Sequence, residues 1–333
     1  MAMRALDKVV VVTGASSGIG RATAIDFARR GAAVVLSARS DEALHEVARE
    51  CLDAGGRAMV VPADVTDQAQ IHHLARRAID AYGGIDVWVN NAGVIAFGRF
   101  EEVPDDVFAG VIATNFLGTV HGCRAVLPHF LERGEGVIIN NASVVSTVGQ
   151  RYATAYVASK FAVRGFSETL RQELVDEPGI HVCTVMPGTV DTPLWQHGAN
   201  FTGRAIRPPG PVSAPETVAA AIVDLAERPR REVFVGAPGR VAEIQQAMAP
   251  GVSEWALARF YERNMFENRS APHTDGAIRH PLPGHGVSGG WMAEHAAAGK
   301  DERRFSWTNL ALFLLPIGLM SRLPMGAGGR HAF

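Results

Sequence analysis

Cysteine is scarce in this chain, and so is net charge. Three cysteines, Cys51, Cys123 and Cys183, stand far apart in apolar runs among 333 residues. An odd number at such spacing makes neither a disulfide framework nor a thiolate metal site. It reads as buried thiols in a reducing compartment. Lys and Arg number 32 against 34 Asp and Glu, a net charge of −2, so no broad basic field recommends a nucleic acid as partner. The apolar run NLALFLLPIGLM at 309–320, flanked by Arg303, Arg304 and Arg322 and broken by Pro316, falls short of the about 20 residues that cross a bilayer. It is expected to dock on the protein's own surface or on a partner subunit, with peripheral membrane contact as the alternative. The strand pattern begins at Lys8, leaving no room for a signal peptide, and a cytoplasmic location is expected. His273, His280, His285, His295 and His331 match no tight ligand spacing, so no metal site is expected.

What the chain does have is the composition of a globular protein, 47% hydrophobic and 20% charged, long enough to bury a large core. Val9 to Val12 runs into TGASSGIGRATAIDFARRGAAVVLSAR, which reads as strand, glycine-rich turn, amphipathic helix and strand. That is a βαβ unit of an α/β protein with a parallel sheet. Gly14, Gly18 and Gly20, with Ser16, Ser17 and Ile19 between and beside them, let backbone approach a pyrophosphate and let helix and strand pack together. The helix N-terminus then offers unpaired N–H groups to the anion. The second strand, Ala33 to Ser37, ends in Ala38-Arg39 where an NAD-selective chain places an acidic residue. A guanidinium suits a 2′-phosphate, so NADP(H) is favoured; Asp41 nearby keeps NAD(H) open.

A helix over Ser40 to Ala54 and a third strand over Ala58 to Pro62 follow. Asp64-Val65 is then placed to meet the adenine, or Asp64 caps the helix that begins near Thr66-Asp67. A fourth strand, Ile85 to Val89, runs into Asn90-Asn91-Ala92-Gly93, small groups suited to close passage past a cofactor. Asn115 lies inside a helical pattern where Asn is unfavourable, so it caps, kinks or does chemistry. Strand five, Gly136 to Asn140, leads to Ser143. Tyr156 and Lys160 follow at a spacing of four within a helical run, which puts them on one face about 6 Å apart. A nearby ammonium favours the phenolate and is expected to lower the phenol's pKa. Strand six, Ile180 to Met186, ends in Pro187-Gly188-Thr189-Val190-Asp191-Thr192-Pro193, and strand ends in a parallel sheet open onto the ligand crevice.

Taken jointly, TGASSGIG at 13–20, NNAG at 90–93, Asn115, Ser143, Tyr156-x-x-x-Lys160 and Pro187-Gly188 resemble the short-chain dehydrogenase/reductase family in its ordinary, non-extended form, over about residues 7–236. The resemblance implies a single Rossmann-fold domain, a doubly wound parallel sheet of about seven strands flanked by helices. It implies Tyr156 as proton donor or acceptor, with Lys160 lowering its pKa and holding the nicotinamide ribose. Ser143 would bond the carbonyl oxygen and Asn115 would support a water-linked proton path. The expected activity is NADP(H)-dependent hydride transfer between nicotinamide and a carbonyl or secondary alcohol. Homodimers or homotetramers are implied by the same resemblance.

Beyond strand six, Leu194 to Val212 is Pro/Gly-rich and reads as a substrate lid, with Trp195, His197 and Phe201 as candidate pocket residues. Its apolar content hints at a bulky hydrophobic alcohol or ketone. A helix capped at Ser213 or Ala214 and closed by Arg228-Pro229 precedes a last strand, Arg231 to Gly236. The catalytic domain is drawn at 1–250. The extension, 251–333, has an amphipathic helix (EWALARFYERNMF), a Gly/Pro/His-rich linker over 267–300 and the run at 309–320. Two rival functions remain: a catalytically silent dinucleotide sensor or scaffold on the same fold, which would not need Tyr156, and sugar-nucleotide epimerisation, which would need a larger substrate domain.

Overall fold

β-Branched runs and glycine-led helices alternate along most of the chain, and the architecture follows them. The computed structural model describes residues 8–236 and 239–295; the run at 309–320 and His331 lie outside the described residues. The elements are β1 (Val9–Thr13), α1 (Gly18–Arg29), β2 (Ala33–Ser37), α2 (Asp41–Asp53), β3 (Arg57–Val60), α3 (Gln68–Tyr82) and β4 (Val87–Asn90). Then come β5 (Ala96–Phe97), α4 (Asp105–Ile112), α5 (Gly118–Arg133), β6 (Gly136–Asn141), α6 (Thr154–Glu173) and β7 (Ile180–Pro187). The chain continues with β8 (Ala199–Asn200), β9 (Arg204–Ile206), α7 (Pro215–Glu227), β10 (Glu232–Val235), α8 (Gly239–Met248), α9 (Pro250–Asn264) and β11 (Phe266–Ser270).

Seven strands form one parallel sheet in the order β10-β7-β6-β4-β1-β2-β3. Its strands are apolar on both faces because both are covered, as a doubly wound sheet requires. Val10, Val12, Val34 and Leu36 pack with Phe27, Leu44 and Ile222 on one face. Val11, Val35, Trp88 and Ile138 pack with Ile71, Leu74 and Phe130 on the other. The chain builds outward from β1 to β3, then crosses to β4 on the far side. The strand order therefore reverses between β1 and β4, and a crevice opens at their carboxyl ends.

Local chemistry sets the helix starts. Ser40 caps α2 by accepting from the Ala43 amide, and Asp67 caps α3 by accepting from Ala69 and Gln70. The expected third strand stops at Val60, two residues early, where pairing with β2 ends at Leu36. Pro62 has no N–H with which to prolong the ladder. Asn115 does interrupt its helix: Ala113–Leu117 is a π-helical turn between α4 and α5, a geometry that tends to mark functional sites.

The lid and the tail depart from expectation. Leu194 to Val212 contains β8, paired parallel with β5, and β9, paired antiparallel with β11. The Gly/Pro/His-rich stretch expected as linker thus contributes a strand, then irregular chain over 271–290 along the sheet's ligand end, and a helical turn at 291–295. The compact unit reaches His295. Among the described residues no helix is long and apolar enough to cross a membrane. All three cysteines are buried and unpaired, and burial pushes the Cys51 thiol to about 12 and that of Cys183 to about 11.

Candidate active site

The turn after β1 is shaped by contacts that only glycine permits. Gly14 (φ 65°) and Gly18 (φ 53°) occupy the left-handed region. A β-carbon on Gly14 would lie 2.7 Å from the Ala92 Cα, and one on Gly20 would lie 2.1 Å from the Gly14 oxygen. Gly20 therefore packs α1 against the turn and does not face the cleft. Asn91 stitches the strand ends together: its Nδ2 donates to the Thr13 and Gly14 oxygens at 3.1 and 3.2 Å, and its Oδ1 accepts from Asn141 Nδ2 at 2.9 Å. Thr192, from the turn after β7, closes on Gly18, where a β-carbon would lie 3.1 Å from the threonine. The result is a cradle of backbone free of side chains at the start of α1, suited in shape to a dinucleotide pyrophosphate, with the Gly18 N–H here donating to the Gly286 carbonyl.

That cradle opens into a cavity of about 250 Å³ lined by Gly14, Ser16, Ser17, Gly18, Ile19, Arg39, Asp64, Val65, Asn91, Ala92 and Gly93. Ser143, Tyr156, Lys160, Pro187, Gly188, Thr189 and Thr192 line the same cavity. Lys160 Nζ stands 5.5 Å from the centre of the Tyr156 ring and donates to the Asn141 carbonyl at 2.7 Å. The strand end of β6 thus aims the lysine. Ser143 starts the short 3₁₀ turn Val144–Ser146, and its hydroxyl donates to the Pro187 oxygen at 3.3 Å.

Burial decides the protonation of this group. The Lys160 ammonium was expected to draw the phenol below its ordinary value. Instead burial raises Tyr156 to about 12, opposed by hydrogen bonding with the Ser143 side chain, which lowers it. Burial also pulls Lys160 down to about 8, and among the described residues no carboxylate offsets it. The phenol stays protonated at neutral pH and the ammonium mostly charged.

Asn115 does not line the cavity. It is 1% exposed, and its amide is fully engaged: Oδ1 accepts from the Val94 N–H at 2.8 Å, while Nδ2 donates to the Val94 oxygen and Ser159 Oγ, both at 2.9 Å. It clamps the chain after β4 to α6, one residue from Lys160. Asp64 accepts from the Thr66 N–H and hydroxyl, which leaves the capping of α3 to Asp67. Trp195 and His197 line the cavity, whereas Phe201 is packed among Val107, Val111 and Ala155.

The main-chain partners of this cleft carry no sequence signal. Arg39 donates to the Ala277 and Ile278 carbonyls at 2.5 and 3.0 Å, Arg21 to the His285 carbonyl at 2.8 Å, and the Gly18 N–H to the Gly286 carbonyl at 3.0 Å. A strap, residues 277–292, therefore runs along the dinucleotide cleft. Its anchor is Asp191, 3% exposed. One Asp191 oxygen accepts from the Gly289 and Trp291 amides, the other from Ser288 Oγ and the Met292 amide, at 2.7–3.3 Å. Carbonyl acceptors are invisible in a side-chain pattern, and only the Gly-Ser-Gly character of 286–290 hinted at a turn.

Comparison with known proteins agrees with this geometry. The short chain dehydrogenase family model matches residues 8–200. An uncharacterized oxidoreductase, YxnA of Bacillus subtilis, is 34% identical over 305 residues, covering 90% of this chain and 86% of that protein. A 3beta-hydroxysteroid dehydrogenase 1 of Eggerthella lenta is 39% identical over 226 residues, covering 66% and 86%. Among solved structures, an alcohol dehydrogenase of Thermococcus sibiricus complexed with 5-hydroxy-NADP superposes with a TM-score of 0.60 at 30% identity, over 68% of this chain and 95% of that one. A short chain dehydrogenase/reductase of Burkholderia phymatum in complex with NAD gives 0.66 at 27%, over 74% and 96%. With its glycine cradle, seven-stranded sheet and these relatives, the chain belongs to the short-chain dehydrogenase/reductase family, oxidoreductases of CH–OH and C=O groups.

Proposed function

We propose that the chain is an NADP(H)-dependent carbonyl reductase, running as an alcohol dehydrogenase in reverse, with Tyr156 as its general acid/base. The observation that carries this reading is the convergence of Ser143, Tyr156 and Lys160 on one cavity with the glycine cradle. A bound nicotinamide dinucleotide supplies or accepts the hydride. The chain's own part is to hold the substrate oxygen and move one proton. Negative charge develops on that oxygen as the carbonyl is reduced, and Ser143 Oγ and the Tyr156 hydroxyl are the donors placed to meet it. A phenol at about 12 is still a far stronger acid than an alcohol, so proton transfer from Tyr156 to the forming alkoxide runs downhill. Lys160 keeps a positive charge beside the ring at neutral pH and stabilises the phenolate left behind. Asn115 is a positioning residue that fixes the loop after β4 against α6.

Cofactor choice rests on Arg39. No carboxylate stands at the end of β2, and the strap carbonyls engage two of the guanidinium's five N–H donors, leaving three for a 2′-phosphate. The substrate end is apolar, walled by Ile95, Val145, Leu194 and Trp195, which suits a hydrophobic ketone or secondary alcohol. The test is a panel of ketones and alcohols assayed by nicotinamide absorbance with NADPH/NADP⁺ and NADH/NAD⁺ side by side. Turnover of hydrophobic ketones, faster with NADPH, is expected. Dinucleotide binding without turnover of any member would overturn the reading in favour of a sensor.

A further inference from the structure

The cavity holds a second phenol that the reaction does not use. Tyr261, on α9, lines the same cavity as Tyr156 and is 7% exposed. Its ring packs with Ile95, Phe97, Met265 and the partly buried Tyr156 and Trp195. Among the described residues nothing hydrogen-bonds its hydroxyl, although burial holds the group protonated, with a pKa of about 12. The Tyr261 hydroxyl is not among the buried, partnerless polar atoms of the described residues; it reaches the open cavity, where a ligand oxygen can meet it. The neighbouring phenol makes the contrast: Tyr152 donates to Glu262 Oε2 at 2.6 Å.

Tyr261 is also held in place. Glu262, the next residue, receives the Tyr152 hydroxyl together with Arg151 at 3.2 Å and Arg204 at 3.1 Å, and the Arg204 guanidinium lies 3.9 Å over the Phe266 ring. These contacts tie α9 to the entry of the catalytic helix α6 and to β9. The unpaired hydroxyl is therefore a fixed feature of the cavity wall. A rigid hydroxyl free of protein partners on a largely apolar wall is how a site selects orientation in an otherwise greasy ligand.

We infer that Tyr261 is a specificity-determining residue whose hydroxyl bonds a second oxygen of the substrate, remote from the carbon that exchanges hydride. The substrate class is then a hydrophobic ketone or secondary alcohol bearing a further hydroxyl or carbonyl. This rests on the carbonyl-reductase reading above. No new covalent step is involved, since Tyr261 contributes orientation and affinity alone.

The test uses the full-length enzyme and matched pairs of hydrophobic ketones, each with and without one additional oxygen, in wild type and Tyr261→Phe. Wild type is expected to favour the oxygenated member of at least one pair by about tenfold in kcat/KM, carried mostly by KM. Tyr261→Phe should erase that preference while leaving the plain ketone within about twofold and dinucleotide affinity, followed by fluorescence titration, unchanged. The inference is overturned if wild type shows no preference in any pair, or if the preference survives in Tyr261→Phe, or if both members fall together. In each of those cases ketone turnover still stands and the carbonyl-reductase reading survives. Absence of turnover of every ketone by wild type, with dinucleotide bound, overturns both.

Discussion

Asp191 gathers four donors from the strap onto one buried carboxylate, and replacing it with asparagine perturbs that knot with almost no change of shape. The amide oxygen can still accept from Gly289 and Trp291, now without the charge. The Ser288 hydroxyl can turn to accept from the new N–H₂, but the Met292 amide, 3.3 Å away, is left facing a donor. Charged and neutral hydrogen bonds differ by about 1 kcal/mol each, so two to three weakened bonds amount to about 2–3 kcal/mol of local stability. At about 1.4 kcal/mol per factor of ten, the strap should open about 30- to 150-fold more often. Hydrogen exchange followed by mass spectrometry reads this directly: the amides of 289–292 should exchange faster by that factor in Asp191→Asn, while those of β1 and β4 stay protected. Unchanged protection over 289–292 would refute the reasoning that the carboxylate anchors the strap.

Arg39→Ala removes the guanidinium at the end of β2 and should weaken NADPH about 10- to 150-fold, the worth of about 1.5–3 kcal/mol for charge-assisted bonds, and NADH only a few-fold; titration with each dinucleotide checks it, and equal losses would contradict the phosphate role. Glu232→Gln breaks a fork in which Arg164 donates at 2.8 and 3.0 Å, and should lower stability by about 1.5–3 kcal/mol. Because the Arg164 hydrogen bond holds the Glu232 carboxyl below its ordinary value, this contribution is fully present above the unfolded carboxylate pKa and fades as pH falls through the lower folded one. The difference in denaturation midpoint between Glu232→Gln and wild type should therefore narrow in acid. With Tyr156 raised to about 12, ketone reduction should keep its phenolic proton throughout neutral pH, whereas alcohol oxidation, which needs the phenolate, should climb continuously toward alkaline pH; an oxidation profile already level at neutrality would contradict that burial governs the phenol.

Local chemistry made most of the dinucleotide half legible. Gly14, Gly18, Asn91 and Arg39 sit where strand ends must open, because a β-branched run followed by small residues admits few other readings. Helical spacing put Tyr156 and Lys160 on one face and Ser143 follows β6, but only the family resemblance of the joint motifs gave these residues their expected roles. What the pattern could not show depended on contacts distant in sequence. The glycine pattern offered both pyrophosphate approach and helix packing, and only the nearness of the Gly14 oxygen assigns the packing to Gly20. Asn115 lies in a π-helical turn and gives its whole amide to Val94 and Ser159, contacts no local pattern shows. The direction of the Tyr156 shift was misjudged because burial depends on all the elements that enclose the ring. The strap was read as linker for the same reason: its bonds to Arg21, Gly18 and Arg39 are made by main-chain carbonyls, and Asp191 gave no hint of its partners a hundred residues on.

The account stands or falls on the phenol of Tyr156. Tyr156→Phe keeps the ring and its packing and removes one hydroxyl, so turnover and NADPH affinity measured on the same preparation separate chemistry from binding. The prediction is a fall in kcat of at least about a hundredfold, the ordinary worth of a positioned proton donor, with NADPH affinity nearly unchanged. Turnover close to that of the wild type would contradict the assignment.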